Sequence, residues 1–357
     1  MEIFLSLKLG KANFVARCMV HIIKTLALLI ALLSIHACQG QSKSKNMNKD
    51  SLTNNPLLCD IETGVCETPD NNSDTSTQKK INSSEKSVKI IYYTDPICSS
   101  CWGIEPQLRK LKLEYGAYID IEYRMGGLLP DWSYNSGGIS KPSDVAHHWD
   151  EVSIHYDMPI DGDVWLEDPL SSSYPPSIAF KAAQLQGEEK AILFLREIRE
   201  MVFLQKKNIT KWEHLATAAK NVGLDLEKFK SDYDGQAKTL FENDLKMAKQ
   251  DGARGFPTLI FMDSEGNTER VYGSKPYAFY ETAILKLNSS IIKSEYSKNW
   301  ETLFSKYSSL TAKEFAELSG TPRIESEKLL NDLTKSGELE KLSTKNGALW
   351  TRVRTKK

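Results

Sequence analysis

The sequence predicts an α/β protein with a small additional unit at its C-terminal end. A strand-helix-strand run begins at Val88, helical periodicity dominates from Ser177 to about Gln250, and strand character returns at Pro257 before a closing helix. The composition is ordinary for a soluble globular protein, with 40% hydrophobic and 26% charged residues. The formal net charge of −1 provides no field that would attract nucleic acid or an anionic membrane.

The first 38 residues are predicted to be a lipoprotein-type signal peptide. Residues 25–35 form an apolar run that is too short to span a bilayer and has the length of a secretory h-region. Ala37-Cys38 resembles the end of a bacterial lipobox, so Cys38 is the predicted lipidation site. The protein is then expected in the cell envelope, on the periplasmic side, held to the membrane by its lipid. The alternative is a start at Met47, which gives a cytoplasmic protein without a signal.

Residues 39–87 are predicted to be a flexible linker, because this polar stretch contains few large apolar residues to bury. Within it, Cys59 and Cys66 bracket a short segment that is expected to close on itself. A second disulfide with a local structural role, or two idle thiols, is the favoured interpretation of this pair. A second redox pair that relays electrons to or from another cysteine pair is the alternative.

Each ordered element has its own signal in the sequence. Residues 88–93 form a β-branched and aromatic run, which predicts a buried strand, and the helix that follows from Cys98 is closed by Gly116. Residues 119–123 alternate as a second strand. Prolines and glycines make residues 128–180 irregular, before the helical stretch begins.

The closing elements complete the predicted domain. Residues 257–262 and 270–272 are expected to form a hairpin, and residues 276–292 a final helix. The predicted boundaries are 88–297 for this domain, with a helical insertion at about 128–250, and 298–357 for the C-terminal unit. In that unit, two short helices and a hairpin resemble a winged helix-turn-helix. Its second helix mixes acidic with basic residues, so nucleic-acid binding is not expected and protein docking is favoured.

The chemistry of the chain centres on Cys98-Ser99-Ser100-Cys101. Two residues between cysteines on the first turn of a helix place one sulfur at the free backbone N–H groups and its partner one turn away. Cys98 is therefore the expected nucleophile and Cys101 the resolving thiol, and together they are the predicted redox-active disulfide. A zinc site is the weaker alternative, because structural zinc usually needs a second ligand pair at fixed spacing.

A second signature is Gly255-Phe256-Pro257-Thr258, just before the third strand. Pro257 is expected to be a cis proline, which brings the backbone next to the active sulfurs; the alternative is a trans proline that simply begins an edge strand. The histidine-rich segment around His147 and His148 is interpreted as a packed loop. No metal and no cofactor are predicted.

Residues 88–292 resemble the DsbA-like branch of the thioredoxin superfamily, especially its polyketide-isomerase-like (FrnE-type) oxidoreductases. The matching stretches are residues 95–102, 177–183, 223–225 and 248–258. The resemblance implies a thioredoxin-like fold with a large helical insertion. It also implies that the backbone at Phe256 pairs with an extended substrate, so Phe256, Pro257 and Trp102 are the candidate substrate-binding residues, with core packing the simpler role for Trp102.

Two functions follow from these patterns. The first is a thiol-disulfide oxidoreductase that exchanges disulfides with protein substrates and with an unidentified redox partner. The second is a cytoplasmic adaptor without catalytic activity that docks a client protein. It is suggested because residues 95–102, with Glu105-Pro106 and residues 110–112, also resemble relatives that hand a transcription regulator to a protease.

Overall fold

The computed structural model describes residues 59–60, 64–67, 87–133 and 141–353. Its strands are β1 (Cys59–Asp60), β2 (Val65–Glu67), β3 (Val88–Thr94), β4 (Ile119–Met125), β5 (Gly255–Phe256), β6 (Thr258–Asp263), β7 (Thr268–Tyr272), β8 (Ser309–Thr311), β9 (Leu339–Thr344) and β10 (Gly347–Arg352). The predicted signal peptide, Cys38 and most of the predicted linker lie outside the described residues.

The described helices fall into three groups along the chain. Those of the core and its insertion are α1 (Ser99–Gly103), α2 (Glu105–Tyr115), α3 (Pro142–Tyr156), α4 (Val164–Glu167), α5 (Tyr174–Gln184), α6 (Glu188–Leu204), α7 (Trp212–Asn221), α8 (Leu226–Asp234) and α9 (Gln236–Gln250). The closing helix of the core is α10 (Tyr277–Leu287), and the C-terminal unit contains α11 (Trp300–Lys306), α12 (Ala312–Ser319) and α13 (Arg323–Lys335).

A four-stranded mixed sheet in the order β4-β3-β6-β7 forms the centre of the fold. β3 runs parallel to β4 and antiparallel to β6, and β7 pairs antiparallel with β6. The central strand β3 is buried along nearly its whole length, which explains its continuous apolar sequence. The edge strand β4 alternates between buried and half-buried positions. The predicted order of elements, with helices inserted between β4 and β5, is confirmed as a thioredoxin-like fold with a helical insertion.

The described part of the segment predicted to be irregular, residues 128–180, includes α3, α4 and the beginning of α5, so that prediction was wrong. α3 begins with Pro142 at its first position, where a missing N–H costs nothing, and the Asp144 carboxylate accepts a bond from the Lys141 N–H. The histidine-rich segment lies on this helix rather than in a loop. His147 and Glu151 are one turn apart on its exposed face, with Nε2 and Oε1 separated by 3.2 Å.

The C-terminal unit has the element order α11-β8-α12-α13-β9-β10, with its sheet in the order β8-β10-β9. This order agrees with a winged-helix-like unit, whereas the boundary at residues 297 and 298 stays a prediction.

The unit is joined to the core by a network of buried charges that we call the junction, centred on Glu314. Arg196 donates to both Glu314 oxygens at 2.8 and 3.0 Å, and Arg109 Nε lies 3.3 Å from Glu314 Oε1.

No helix among the described residues is both long and apolar enough to cross a membrane.

Candidate functional site

The cysteine pair lies at the start of α1, directly after the loop that follows β3. Cys98 is the N-cap residue, and its sulfur accepts a hydrogen bond from the Cys101 N–H at 3.1 Å. Cys98 and Cys101 are joined by a disulfide, with their Cα atoms 5.2 Å apart. The first-turn N–H that contacts Cys98 would stabilise a thiolate there after reduction, which is the polarity expected of a nucleophilic sulfur.

The proline loop directly precedes β6, the strand that pairs with β3. The peptide bond between Phe256 and Pro257 is cis, as the sequence predicts. The Pro257 carbonyl accepts a bond from Gly273 N–H at 2.8 Å, and the Thr258 hydroxyl donates to the Gly255 carbonyl at 2.6 Å. Thr258 pairs with Tyr93 near the end of β3, so the register brings the proline loop to the cysteine end of the sheet.

The Phe256 side chain points into the protein rather than into an open groove. A Cβ added at Gly126 would lie 1.7 Å from its ring, so the ring occupies the space that a side chain at position 126 would need. Phe256 is completely buried. Gly126 therefore makes room for the large residue before the proline.

The backbone of β5, which was expected to bind an extended substrate, is paired with the chain's own strand β2. Cys66 lies opposite Phe256 and Glu67 opposite Gly255, in an antiparallel register. The predicted linker thus contains a short ordered hairpin, β1–β2, at this position. In the described structure, the chain itself occupies the edge to which a peptide substrate would add.

This strand brings a third sulfur to the cysteine pair. Cys66 Sγ lies 3.4 Å from Cys98 Sγ, and Cys66, Cys98 and Cys101 are all fully buried. Cys66 is itself disulfide-bonded, and Cys59 is the residue directly opposite it in the β1–β2 register. A disulfide between Cys59 and Cys66 stays a prediction. The structure therefore brings together two of the sequence's candidate motifs that lie 32 residues apart.

Asp95 supports the cysteine turn from inside. Its carboxylate accepts bonds from Ile97 N–H at 3.0 Å, from Leu128 N–H at 2.8 Å and from the Ser173 hydroxyl at 2.8 Å. Burial raises the pKa of Asp95 to about 6, against the opposing effect of these hydrogen bonds. Its contacts tie the turn before Cys98 to the start of the helical insertion.

Two buried arginines on α6 complete the support, and sequence reasoning missed both. Arg199 is fully buried and donates to Glu105 Oε1 and Thr94 Oγ1, each at 2.6 Å. Arg196 lies 4.4 Å from the ring centroid of Trp102 while it holds Glu314. The sequence did contain a signal for them. In α6, charged residues stand among the apolar residues and do not fall on a single exposed face of the helix.

Trp102, a candidate substrate-binding residue, is instead part of the core. It is fully buried, stacks on Phe203 with ring centroids 5.5 Å apart, and donates from Nε1 to the Pro159 carbonyl at 3.0 Å. Its position therefore assigns it to packing. Within the motif, the Ser100 hydroxyl bonds Tyr156 at 2.9 Å.

No group of three or more His, Cys, Asp or Glu side chains in the described part of the chain is arranged to hold a metal ion.

Comparison with known proteins agrees with this architecture. Residues 92–282 match the family model described as Thioredoxin. The chain is 36% identical over 303 residues to the ClpXP adapter protein SpxH of Halalkalibacterium halodurans, covering 83% of this chain and 97% of the relative. It belongs to the DsbA-like thioredoxin family, in the branch that includes the SpxH proteins.

A second SpxH relative and one solved structure are also similar to this chain. The SpxH of Bacillus subtilis is 32% identical over 276 residues, which cover 76% of this chain and 91% of the relative. A solved structure, a putative protein disulfide isomerase from Nitrosomonas europaea, is 21% identical with a TM-score of 0.50, covering 56% of this chain and 97% of its own. At that identity the solved structure supports the fold alone.

Proposed function

We propose that this protein is an adaptor that docks a client protein and presents it to a ClpXP-type protease. The similarity to the SpxH relative extends over 303 aligned residues, whereas the family model matches only residues 92–282. The likeness therefore reaches well beyond the core that oxidoreductases of this family share. The adaptor interpretation, which stood second in the sequence analysis, is favoured over a free disulfide-exchange enzyme.

The arrangement of the cysteine centre also supports this choice. An enzyme that exchanges disulfides with many proteins needs an accessible nucleophilic sulfur and an open strand edge. Here both cysteines of the pair are buried, and β2 covers the edge at Phe256. The C-terminal unit, fixed to the core through Glu314, adds a second folded surface to the same body. Such a two-part surface suits the docking of a folded client.

The test is a comparison of protein half-lives in the source organism. We expect at least one short-lived protein to become stable both when this gene is deleted and when clpX is deleted. Adding the purified protein should then accelerate degradation of that client by purified ClpXP. The proposal is wrong if no protein depends on both genes, or if the purified protein leaves client degradation unchanged.

The cellular location of the protein distinguishes the adaptor from the lipid-anchored enzyme. ClpXP requires ATP, so an adaptor for it works in the cytoplasm, which agrees with a start at Met47. Cell fractionation with palmitate labelling tests this point. An unlabelled protein in the soluble fraction favours the adaptor, whereas a labelled membrane protein favours the lipid-anchored enzyme with Cys38 as its anchor.

Thiol-disulfide exchange remains a second candidate function, because the Cys98–Cys101 disulfide begins a helix and lies at the same end of the sheet as a cis proline. The Cys98→Ser variant should then lose dithiol-dependent insulin reduction and oxidative refolding activity. If the variant keeps full activity in these assays, exchange with protein substrates is not a function of this pair. Client degradation by ClpXP, measured with the same variant, shows whether the two functions are separable.

A further inference from the structure

The hairpin beside the cysteine pair packs closely against Gly255 of β5 and against Ser274. A Cβ added at Gly255 would lie 2.3 Å from Val65 Cγ1, and one added at Gly64 would lie 2.6 Å from Ser274 Cβ. The Ser274 N–H donates to the Gly64 carbonyl at 2.8 Å. Gly64 on the hairpin and Gly255 on the core thus each leave room for the segment that packs against them.

The fit places one sulfur of a second cysteine pair against the nucleophile. Cys66 Sγ is 3.4 Å from Cys98 Sγ, while Cys66 already takes part in a disulfide. Cys59 lies opposite Cys66 in the antiparallel register. Residues directly opposite in such a ladder have Cα atoms about 4.5–5.5 Å apart, which is within the range that a disulfide spans.

We infer that Cys98 and Cys101 exchange electrons with a disulfide of the same chain, between Cys59 and Cys66. The reaction begins after an external dithiol has reduced Cys98–Cys101 and has itself been oxidised to a disulfide. The Cys98 thiolate attacks Cys66 Sγ, which forms a Cys98–Cys66 bond, breaks the Cys59–Cys66 bond and releases Cys59 as a thiolate. This step is a unimolecular thiol-disulfide exchange between sulfurs already in contact.

The Cys101 thiolate completes the transfer by attacking Cys98 Sγ. The Cys98–Cys101 bond forms again, the mixed disulfide breaks, and Cys66 leaves as a thiolate. Two electrons have then moved from the Cys98/Cys101 dithiol to the Cys59/Cys66 pair. Two protons leave the first pair and are taken up by the second. This inference does not depend on the adaptor function, because it concerns only cysteines within one chain.

A trapping experiment on the full-length protein tests the contact. The double variant Cys59→Ser/Cys101→Ser keeps Cys66 and Cys98 without their partners. Mild oxidation with oxidised glutathione should yield a Cys66–Cys98 disulfide as the main product in a non-reducing peptide map. The matched variant Cys66→Ser/Cys101→Ser should form the corresponding Cys59–Cys98 bond at least tenfold less. Equal yields in the two variants, or separate glutathione adducts on Cys66 and Cys98, would overturn the inference.

A kinetic measurement on proteins that keep both Cys59 and Cys66 provides the second test, in case a trapping variant fails to fold. Dithiothreitol is added to the wild-type protein and to Cys98→Ser/Cys101→Ser, and thiols are alkylated at intervals and mapped by mass spectrometry. Reduction of the Cys59/Cys66 pair should be at least tenfold slower in the variant, because its internal route is gone. Equal rates of Cys59/Cys66 reduction in the two proteins would overturn the inference. So would the finding of one bound zinc ion per chain that protects all four thiols from alkylation.

Discussion

The hairpin before the core and the unit after it are attached to the core by different means. β2 is held by a two-residue ladder to Phe256 and Gly255 and by the Ser274–Gly64 hydrogen bond. The C-terminal unit is held by a fully buried carboxylate between two arginines at the junction. A short ladder is easily opened, whereas separating buried charges leaves them unpaired at high cost. We therefore expect β2 to act as a removable cover and the junction to act as a permanent attachment.

The largest expected effect concerns the permanent attachment. Burial alone would raise the pKa of Glu314, but Arg109 and Arg196 hold it below its usual range, so the side chain is ionised. Glu314→Gln leaves two buried guanidinium groups without their shared partner. We expect the free energy of unfolding to fall by roughly 3–5 kcal/mol, measured by denaturant titration.

The matched control is Glu317→Gln on the same helix, α12. Glu317 pairs with Lys110 at 3.0 Å, but the side chains are 25% and 24% exposed. An ion pair that is partly open to solvent contributes about 1 kcal/mol or less. If the two variants lose the same stability, the junction is no stronger than a surface contact and the contrast between the two ends fails.

Much of the site could be predicted because its elements depend on local signals. The Cys98 motif follows a buried strand, and Pro257 directly precedes the strand beside it, so the topology of the sheet brings them to the same end. The cover could not be predicted, since β2 has only three residues and gains its structure from β5. The same applies to Arg199, whose burial depends on partners about a hundred residues away.

The next prediction concerns the pH dependence of stability, which reports on the contacts between the cysteine turn and the helical insertion. Burial raises the pKa of Asp95 to about 6, so the folded state holds its proton more tightly than the unfolded chain does. Its contribution to stability is therefore complete below about pH 4 and is lost as pH rises to about 6. Burial, with a smaller effect of His147, lowers the pKa of His148 to about 4, and this has the opposite consequence. The His148 contribution is complete above about pH 6.5 and is lost as pH falls to about 4.

The two contributions should largely cancel in the wild-type protein between pH 4 and 6. Each corresponds to about 3 kcal/mol at most, for a shift of about two pKa units. His148→Gln should become less stable relative to its own value at pH 4 as pH rises, and Asp95→Asn should become more stable. Denaturant titrations at several pH values measure these slopes. If the free energy of unfolding depends on pH in the same way for the wild type and both variants, the pKa values of Asp95 and His148 are not shifted in the folded protein.

The smallest expected effect concerns the removable cover. Gly64 has φ of +69°, and a side chain there would also meet Ser274, so Gly64→Ala should weaken the cover by about 1–2 kcal/mol. Because the cover opens locally, the global midpoint of unfolding should hardly change, while the open population rises about 5–30-fold. Reduction of Cys98–Cys101 by glutathione should accelerate by the same factor. Gly266→Ala is the matched control, with φ of +89° and open space around the added Cβ. It carries a similar backbone cost far from the cover, so an equal acceleration in both variants would show that the β2 strand does not control access to the cysteines.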